Sequence, residues 1–187
     1  MLNEIDDQRL AMDAAAGDRA AFERLVERHY DRIHGLAWRF TGGPPDSEDL
    51  AQDVCIALGR KIRSYRGEAR FTTWLYQVVL NAARDGMRRN KTRATANAAF
   101  AEVDGLRRGE DAERVRMAEW LRAAIIELKQ DLRETAILVL DEGLSHGEAA
   151  GILGVAESTV SWRLMEVRKA LQGHADVEEG SQKGRIA

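Results

Sequence analysis

The stretch Gly143-Leu-Ser-His-Gly-Glu-Ala-Ala-Gly-Ile-Leu-Gly-Val-Ala-Glu-Ser-Thr-Val-Ser-Trp-Arg-Leu164 decides how the rest of the chain is read. Ser145-x-x-Glu148 is a capping-box signature, in which a hydroxyl and a carboxylate satisfy backbone N–H groups that a first helical turn leaves open. It predicts a short helix running to Leu153. Gly154 supplies a turn, because glycine takes a left-handed backbone at little steric cost, and a second helix follows. Ala149, Ala150 and Leu153 pack the first helix on the second, while Val160 and Leu164, four apart, pin the second to its domain. Ser158, Ser161, Trp162 and Met165 are then left on the free face. A capped helix, a tight turn and an anchored second helix make the helix-turn-helix pattern, whose second helix fits a major groove. The same spacing also describes a helical hairpin with a purely structural role. Nor does the motif separate a repressor or response regulator from other DNA binders.

Working outward, the spacing is helical everywhere and no segment alternates like a strand. Val160, Leu164, Val167 and Leu171 form one stripe of the last helix, and the tail 173–187, poor in apolar residues, is expected to be disordered. Upstream, Met117, Leu121, Ala124, Ile125 and Leu128 share a face from about Asp111. Asp131-x-x-Glu134 reads as another capping box, opening a helix through Leu140. Earlier still, Ile5 to Ala16 is a short helix. Phe22, Leu25, Val26, His29, Ile33, Leu36, Ala37 and Phe40 mark a long one entered after Gly17-Asp18. Gly42-Gly43-Pro44-Pro45 stops it, and Asp46 is the expected N-cap of the next, with Leu50, Val54, Leu58 and Ile62 inward. A loop over 64–70 precedes a helix from Thr72 to Asn90 that buries Leu75, Val78, Val79 and Ala82. From Lys91 to Glu110 the periodicity fades. The reading is all-α: two small helical domains, 18–92 and 111–172, joined by a flexible linker at 93–110, with a leading helix in 1–17 and the tail at 173–187.

The chain has 187 residues, 44% of them hydrophobic and 32% charged, with two prolines and one cysteine. A lone Cys55 excludes an internal disulfide framework and fits a reducing compartment. The acidic start lacks the charge of a signal peptide, and no apolar run reaches membrane-spanning length. A cytoplasmic protein without direct membrane insertion is expected. The net charge of −3 argues against nucleic acid, but its distribution argues for it. Residues 60–93 carry ten basic side chains against Glu68 and Asp85, whereas residues 1–59 carry six against twelve acids. A basic block of this kind is an electrostatic footprint that the total conceals.

Two polar arrays flank that contrast. Asp46, Asp49 and Asp53 fall at i, i+3, i+7, an acidic stripe apart from Leu50, Val54 and Leu58; taken alone, such a stripe is commonly a solvated face. Asn81, Arg84, Asp85 and Arg88 fall at i, i+3, i+4, i+7. Arginines there suit phosphates, while Asn and Asp suit base edges or the holding of an arginine. Phe71, Trp74 and Tyr76 just upstream suit either the core or stacking on unpaired bases.

Four segments, in this order, resemble those of the bacterial sigma-70 family, in its small extracytoplasmic-function (ECF) branch. Asp46-Ser-Glu-Asp-Leu-Ala-Gln-Asp-Val54 is similar to the family's core-polymerase-binding helix. Phe71-Thr-Thr-Trp-Leu-Tyr76 is similar to its strand-opening segment, and Asn81-Ala-Ala-Arg-Asp-Gly-Met-Arg-Arg89 to its −10 reading helix. Leu128 to Leu171 is similar to region 4, the −35 reader. The resemblance spans residues 18–172 and implies sigma region 2 in the first domain and region 4 in the second. It implies a sigma factor that binds core RNA polymerase and directs promoter-specific transcription initiation, held in check by an anti-sigma factor through which it is tethered to a membrane, if at all. Carried over by position, Asp46, Asp49, Gln52 and Asp53 would dock on polymerase. Phe71, Trp74, Asn81, Arg84, Asp85, Arg88 and Arg89 would bind and melt −10 DNA. Ser158, Thr159, Ser161, Trp162, Arg163 and Arg168 would bind −35. The sequence departs from the family at Lys129, where proline is frequent, at Ala156, where Ser or Thr is common, at Ser161, where Lys is common, and at Cys55, where Phe is frequent.

Other chemistry finds no footing. Cys55 has no nearby His or Lys partner in the sequence, and His29, His34, His146 and His174 lack metal-ligand spacing. No phosphate loop, nucleophilic triad or carboxylate pair is visible, so no catalytic residue, cofactor or metal is expected. A response-regulator-type activator would need a βα first domain, which the helical periodicity of 5–90 contradicts. A helical enzyme would need a catalytic cluster.

Overall fold

The structure, a computed structural model, describes residues 2–43, 45–94, 117, 120, 121 and 123–183. These residues are helical with connecting turns and fall into two compact units, one before and one after residue 97. The linker expected at 93–110 lies outside the described residues, apart from 93 and 94, which close a helix. Among the described residues no helix is long and apolar enough to cross a membrane.

The first unit contains α1 (Leu2–Ala15), α2 (Arg19–Thr41), α3 (Asp46–Lys61), a 3₁₀ turn (Ile62–Ser64) and α4 (Phe71–Ala94). Asp18 caps α2, its carboxylate accepting from the Ala21 N–H at 3.1 Å. Gly42 ends it at φ 88°, a left-handed geometry suited to glycine, and its N–H donates to the Trp38 carbonyl. Leu25, Ile33 and Leu36 of α2, Val54 and Leu58 of α3, and Leu75, Val79 and Leu80 of α4 make the core. Leu10, Ala11 and Ala14 are buried with them, so α1 is a wall of this unit, packed on α2, α4 and the 3₁₀ turn, rather than a lead-in. Ala82 is only half-buried; Ala83 takes the deeper place.

Asp46 is not the N-cap of α3. Pro45 holds that position, and its carbonyl accepts from the Glu48 and Asp49 N–H groups at 3.0 and 3.2 Å. The ring fixes φ in advance, which moves Asp46 into the helix beside Glu48 and Asp49, where negative charge complements the helix dipole.

The second unit is helical at 123–127, then forms α5 (Gln130–Ala136), a π turn (Ile137–Asp141), α6 (His146–Leu153) and α7 (Glu157–Lys183). Leu128, Ala136 and Val167 sit at its centre, with Leu132, Ala170 and Leu171 around them. The box at Ser145 and Glu148 forms, with the Ser145 N–H donating to Glu148 at 2.9 Å, and Gly154 turns at φ 70°.

Several expectations fail here for local reasons. The Asp131/Glu134 box does not form, because Lys129 occupies the N-cap position. Glu134 is buried and accepts from Gln130 at 2.9 Å, while Arg133 donates back to the carbonyls of Ile126 and Leu128. Arg133 thus closes the end of the preceding helix, while Gln130 and Glu134 pair within α5. The helix does not run evenly to Leu140: the Glu142 N–H reaches back five residues to Ile137, the wider turn of a π bulge, and Leu140 is exposed. Met117 and Leu121 are also exposed, so the inward stripe begins at Ala124. α7 extends to Lys183, into the segment expected to be disordered. No proline interrupts it, and extending a formed helix avoids the cost of nucleation.

Candidate nucleic-acid interface

In the second unit, α6 and the first turns of α7 present a polar and aromatic surface. Val160 and Val167 are buried, Ser158 and Ser161 are exposed, and Trp162 and Met165 are 53% and 55% exposed. Thr159 is half-buried. Ser161 is anchored at both ends, its hydroxyl donating to the Glu157 carbonyl and lying 3.0 Å from His146 Nδ1 on α6. Arg163 is placed differently from its expected role. Its side chain is 15% exposed and its Nε lies 3.5 Å from Asp131 of α5. Position 163 is three after Val160 and four before Val167, so it belongs to the inward stripe. Arg168 is exposed and borders an apolar groove of about 640 Å³ whose walls include Leu140, Leu164, Met165 and Leu171.

In the first unit, Asp46, Asp49 and Gln52 are exposed on one side of α3. Asp53 turns away from them and pairs with Arg89 of α4 at 2.5 Å. On α4, Asn81 is exposed, and Asp85 pairs with Arg88 at 2.5 Å. Asp53, Asp85, Arg88 and Arg89 line a groove of about 600 Å³ between α3 and α4, with Arg60 and Lys61 also on its rim. The polymerase and −10 sets read from the sequence therefore meet at one ion pair. Arg84 is half-buried on the same helix.

Phe71 is 3% exposed and belongs to the core, which removes it from the surface available to a base. It forms an aromatic cluster with Tyr65 and Trp74, at centroid distances of 6.1 and 5.9 Å, and only Trp74 of its DNA-directed pair is half-exposed. On its other side Phe71 meets His29 at 5.1 Å. His29 Nε2 lies 2.9 Å from Asp7, which also accepts from Arg28 at 2.5 Å; both Asp7 and His29 are buried. Burial holds the His29 pKa below its ordinary value, with Asp7 opposing the shift. Sequence reasoning placed His29 on an apolar face but missed its acid, because the partner stands 22 residues away. Burial likewise pushes the Cys55 thiol up, which disfavours the reactive thiolate.

Residues 25–93 match the Sigma-70 region 2 family. The chain is 32% identical over 182 residues to the RNA polymerase sigma-H factor of Pseudomonas aeruginosa, covering 91% of this chain and 94% of that one. It is 32% identical to the ECF RNA polymerase sigma factor SigM of Mycobacterium tuberculosis, covering 90% and 84%. Among solved structures it is similar to CnrH in complex with the cytosolic domain of CnrY, with a TM-score of 0.69 and 28% identity over 92% of this chain and 98% of CnrH. A basic groove, an exposed helix-turn-helix and likeness along almost the whole length lead to one family: the chain belongs to the extracytoplasmic-function branch of the sigma-70 family, the RNA polymerase sigma factors that direct promoter-specific transcription initiation.

Proposed function

We propose that the two units divide promoter recognition, with residues 18–92 docking on core polymerase and opening −10 and residues 111–172 reading −35. The observation that carries this reading is the exposed face of α3: Asp46, Asp49 and Gln52 stand clear of the buried Leu50, Val54 and Leu58, at the end of the helix where acids are best placed. A basic coiled-coil partner would meet this face first. Asn81, Trp74 and the arginines of α4 would then lie against −10 DNA, and Ser158, Trp162 and Met165 would enter the major groove at −35. Opening needs no bond chemistry, because bases trapped by the protein offset an unstacking cost of a few kcal/mol. The chain acts as a binding subunit rather than an enzyme, in the cytoplasm. An anti-sigma polypeptide is its regulatory partner, supported by the complex in which CnrH was solved and by the apolar groove beside α7.

Charge reversal of the outward acids tests the docking half. Asp46→Arg with Asp49→Arg should abolish co-purification with core polymerase while the melting temperature stays within a few degrees. Unchanged co-purification would remove the role assigned to this face.

A further inference from the structure

The loop Tyr65–Arg70, between the 3₁₀ turn and α4, is held from outside the matched family segment, by α1. Gln8 Nε2 donates to the Gly67 carbonyl at 3.0 Å. Gly67 stands at φ +71°, and a Cβ there would lie 3.1 Å from Met12 Sδ, so α1 presses on the loop backbone directly. Gln8 and Met12 are four apart, one turn of the same helix face. Within the loop, the buried Tyr65 donates its hydroxyl to the Ala69 carbonyl at 2.7 Å. At its far end, the chain Asp7–His29–Phe71 fixes the start of α4 to the same helix. The loop therefore has both its middle and its exit set by residues 7, 8 and 12, while Arg66, Glu68 and Arg70 remain exposed.

We propose that α1 is a positioning element for promoter opening: Gln8 and Met12 hold the Tyr65–Arg70 loop, through the Gly67 backbone, in the shape that accepts unpaired −10 bases. This rests on the reading that the first unit opens −10, extended to the loop because Tyr65 meets the half-exposed Trp74 at 5.5 Å and Arg66 is exposed beside it. It adds a residue set that touches no DNA and acts through the loop. A loop ordered beforehand loses less freedom on binding than one that must fold around the base, and that difference appears as affinity.

The test uses Gln8→Leu in the full chain bound to core polymerase. The probes are a single-stranded oligonucleotide carrying the −10 sequence that the wild-type holoenzyme selects from a random library, and a duplex carrying −35 alone. The expected result is a loss of about fivefold in single-strand affinity, the size of one hydrogen bond. Affinity for the −35 duplex, co-purification with core polymerase and the melting temperature should stay close to wild type. Gln8→Arg, which keeps an N–H donor, should recover part of the loss. A second variant, Arg66→Ala, reports on the loop itself. If it weakens single-strand binding and Gln8→Leu does not, the positioning role is overturned and the opening role stands. If neither variant changes it, the loop does not take unpaired bases and the proposal falls, with the opening role left to Trp74, Asn81 and the arginines of α4. A drop in melting temperature with unchanged single-strand affinity would reduce Gln8 to a structural contact and overturn the proposal.

Discussion

The two helices assigned to DNA present opposite kinds of surface. The outward face of α7 carries Ser158, Ser161, Trp162 and Met165, and its early arginine, Arg163, is folded back onto Asp131. α4 carries Asp85, Arg88 and Arg89 outward, with ion pairs already made within the helix and to Asp53 of α3. Surface pairs of this kind are worth less than about 1 kcal/mol, so phosphates can displace them at little cost. The first surface offers hydroxyl and apolar groups with little charge; the second is charged but internally compensated. This predicts strong salt dependence for contacts through α4 and weak dependence for contacts through α7.

The largest effect should come from breaking one unit without the other. Val167 is buried at the centre of the second unit, and Val167→Asp places an unpaired charge there, at a cost of about 3–5 kcal/mol. Helix content from α5 to α7 should melt early by circular dichroism and hydrogen exchange, while co-purification through α3 persists. Loss of both together would mean that the units do not fold separately.

Within α7, neighbouring residues should separate. Trp162→Ala should lower affinity for −35 duplex by about tenfold with little change in melting temperature. Arg163→Ala should do the reverse, losing stability of about 1–2 kcal/mol with affinity nearly intact once the chain is folded. Matching losses of affinity would return Arg163 to the DNA-contacting set.

What the sequence made legible follows from the range of each interaction. The cap at Ser145, the turn at Gly154 and the stripes through Val54 and Val160 depend on residues at most four positions away, and each stands where the spacing put it. Arg163 is legible in principle, since three and four residues separate it from Val160 and Val167, whereas its −35 role is carried over from the family by position. Pairing across elements was not legible. Asp53 meets Arg89 across 36 residues, Asp7 meets His29 across 22, and Gln8 meets Gly67 across 59. No periodicity encodes those distances, which is why the sequence leaves Phe71 open between the core and unpaired bases, although His29 and Tyr65 enclose it. The Asp131/Glu134 box failed for a related reason: the spacing was right, but the preceding helix end claimed Arg133 and moved the boundary.

A smaller effect concerns pH in the first unit. The buried His29 has its pKa lowered, chiefly by desolvation, from an ordinary value of 6.5. Below that value the unfolded chain takes a proton that the folded chain resists. The stability contributed is present above pH 6.5 and is lost as pH falls toward the folded pKa. Thermal melts should show the first unit weakening below that pH, and His29→Gln should flatten the slope. An equally steep slope in the variant would assign it to other groups.

The smallest effect lies at the junction of the two surfaces of the first unit. Asp53→Asn should weaken polymerase co-purification less than Asp49→Asn, because Asp53 is engaged by Arg89, and should change stability by less than about 1 kcal/mol. Equal losses would place Asp53 on the docking face.

The central claim is that one unit opens DNA while the other only holds it. Permanganate reactivity of −10 thymines, measured with transcript yield on duplex and pre-melted versions of the same promoter, tests this most directly. The account predicts that wild-type holoenzyme makes the thymines reactive on duplex. Arg88→Ala with Arg89→Ala should lose that reactivity and recover transcription on the pre-melted template, whereas Trp162→Ala should be impaired on both. Thymines that stay unreactive with wild type, or a recovery by Trp162→Ala equal to that of the arginine variant, would contradict it.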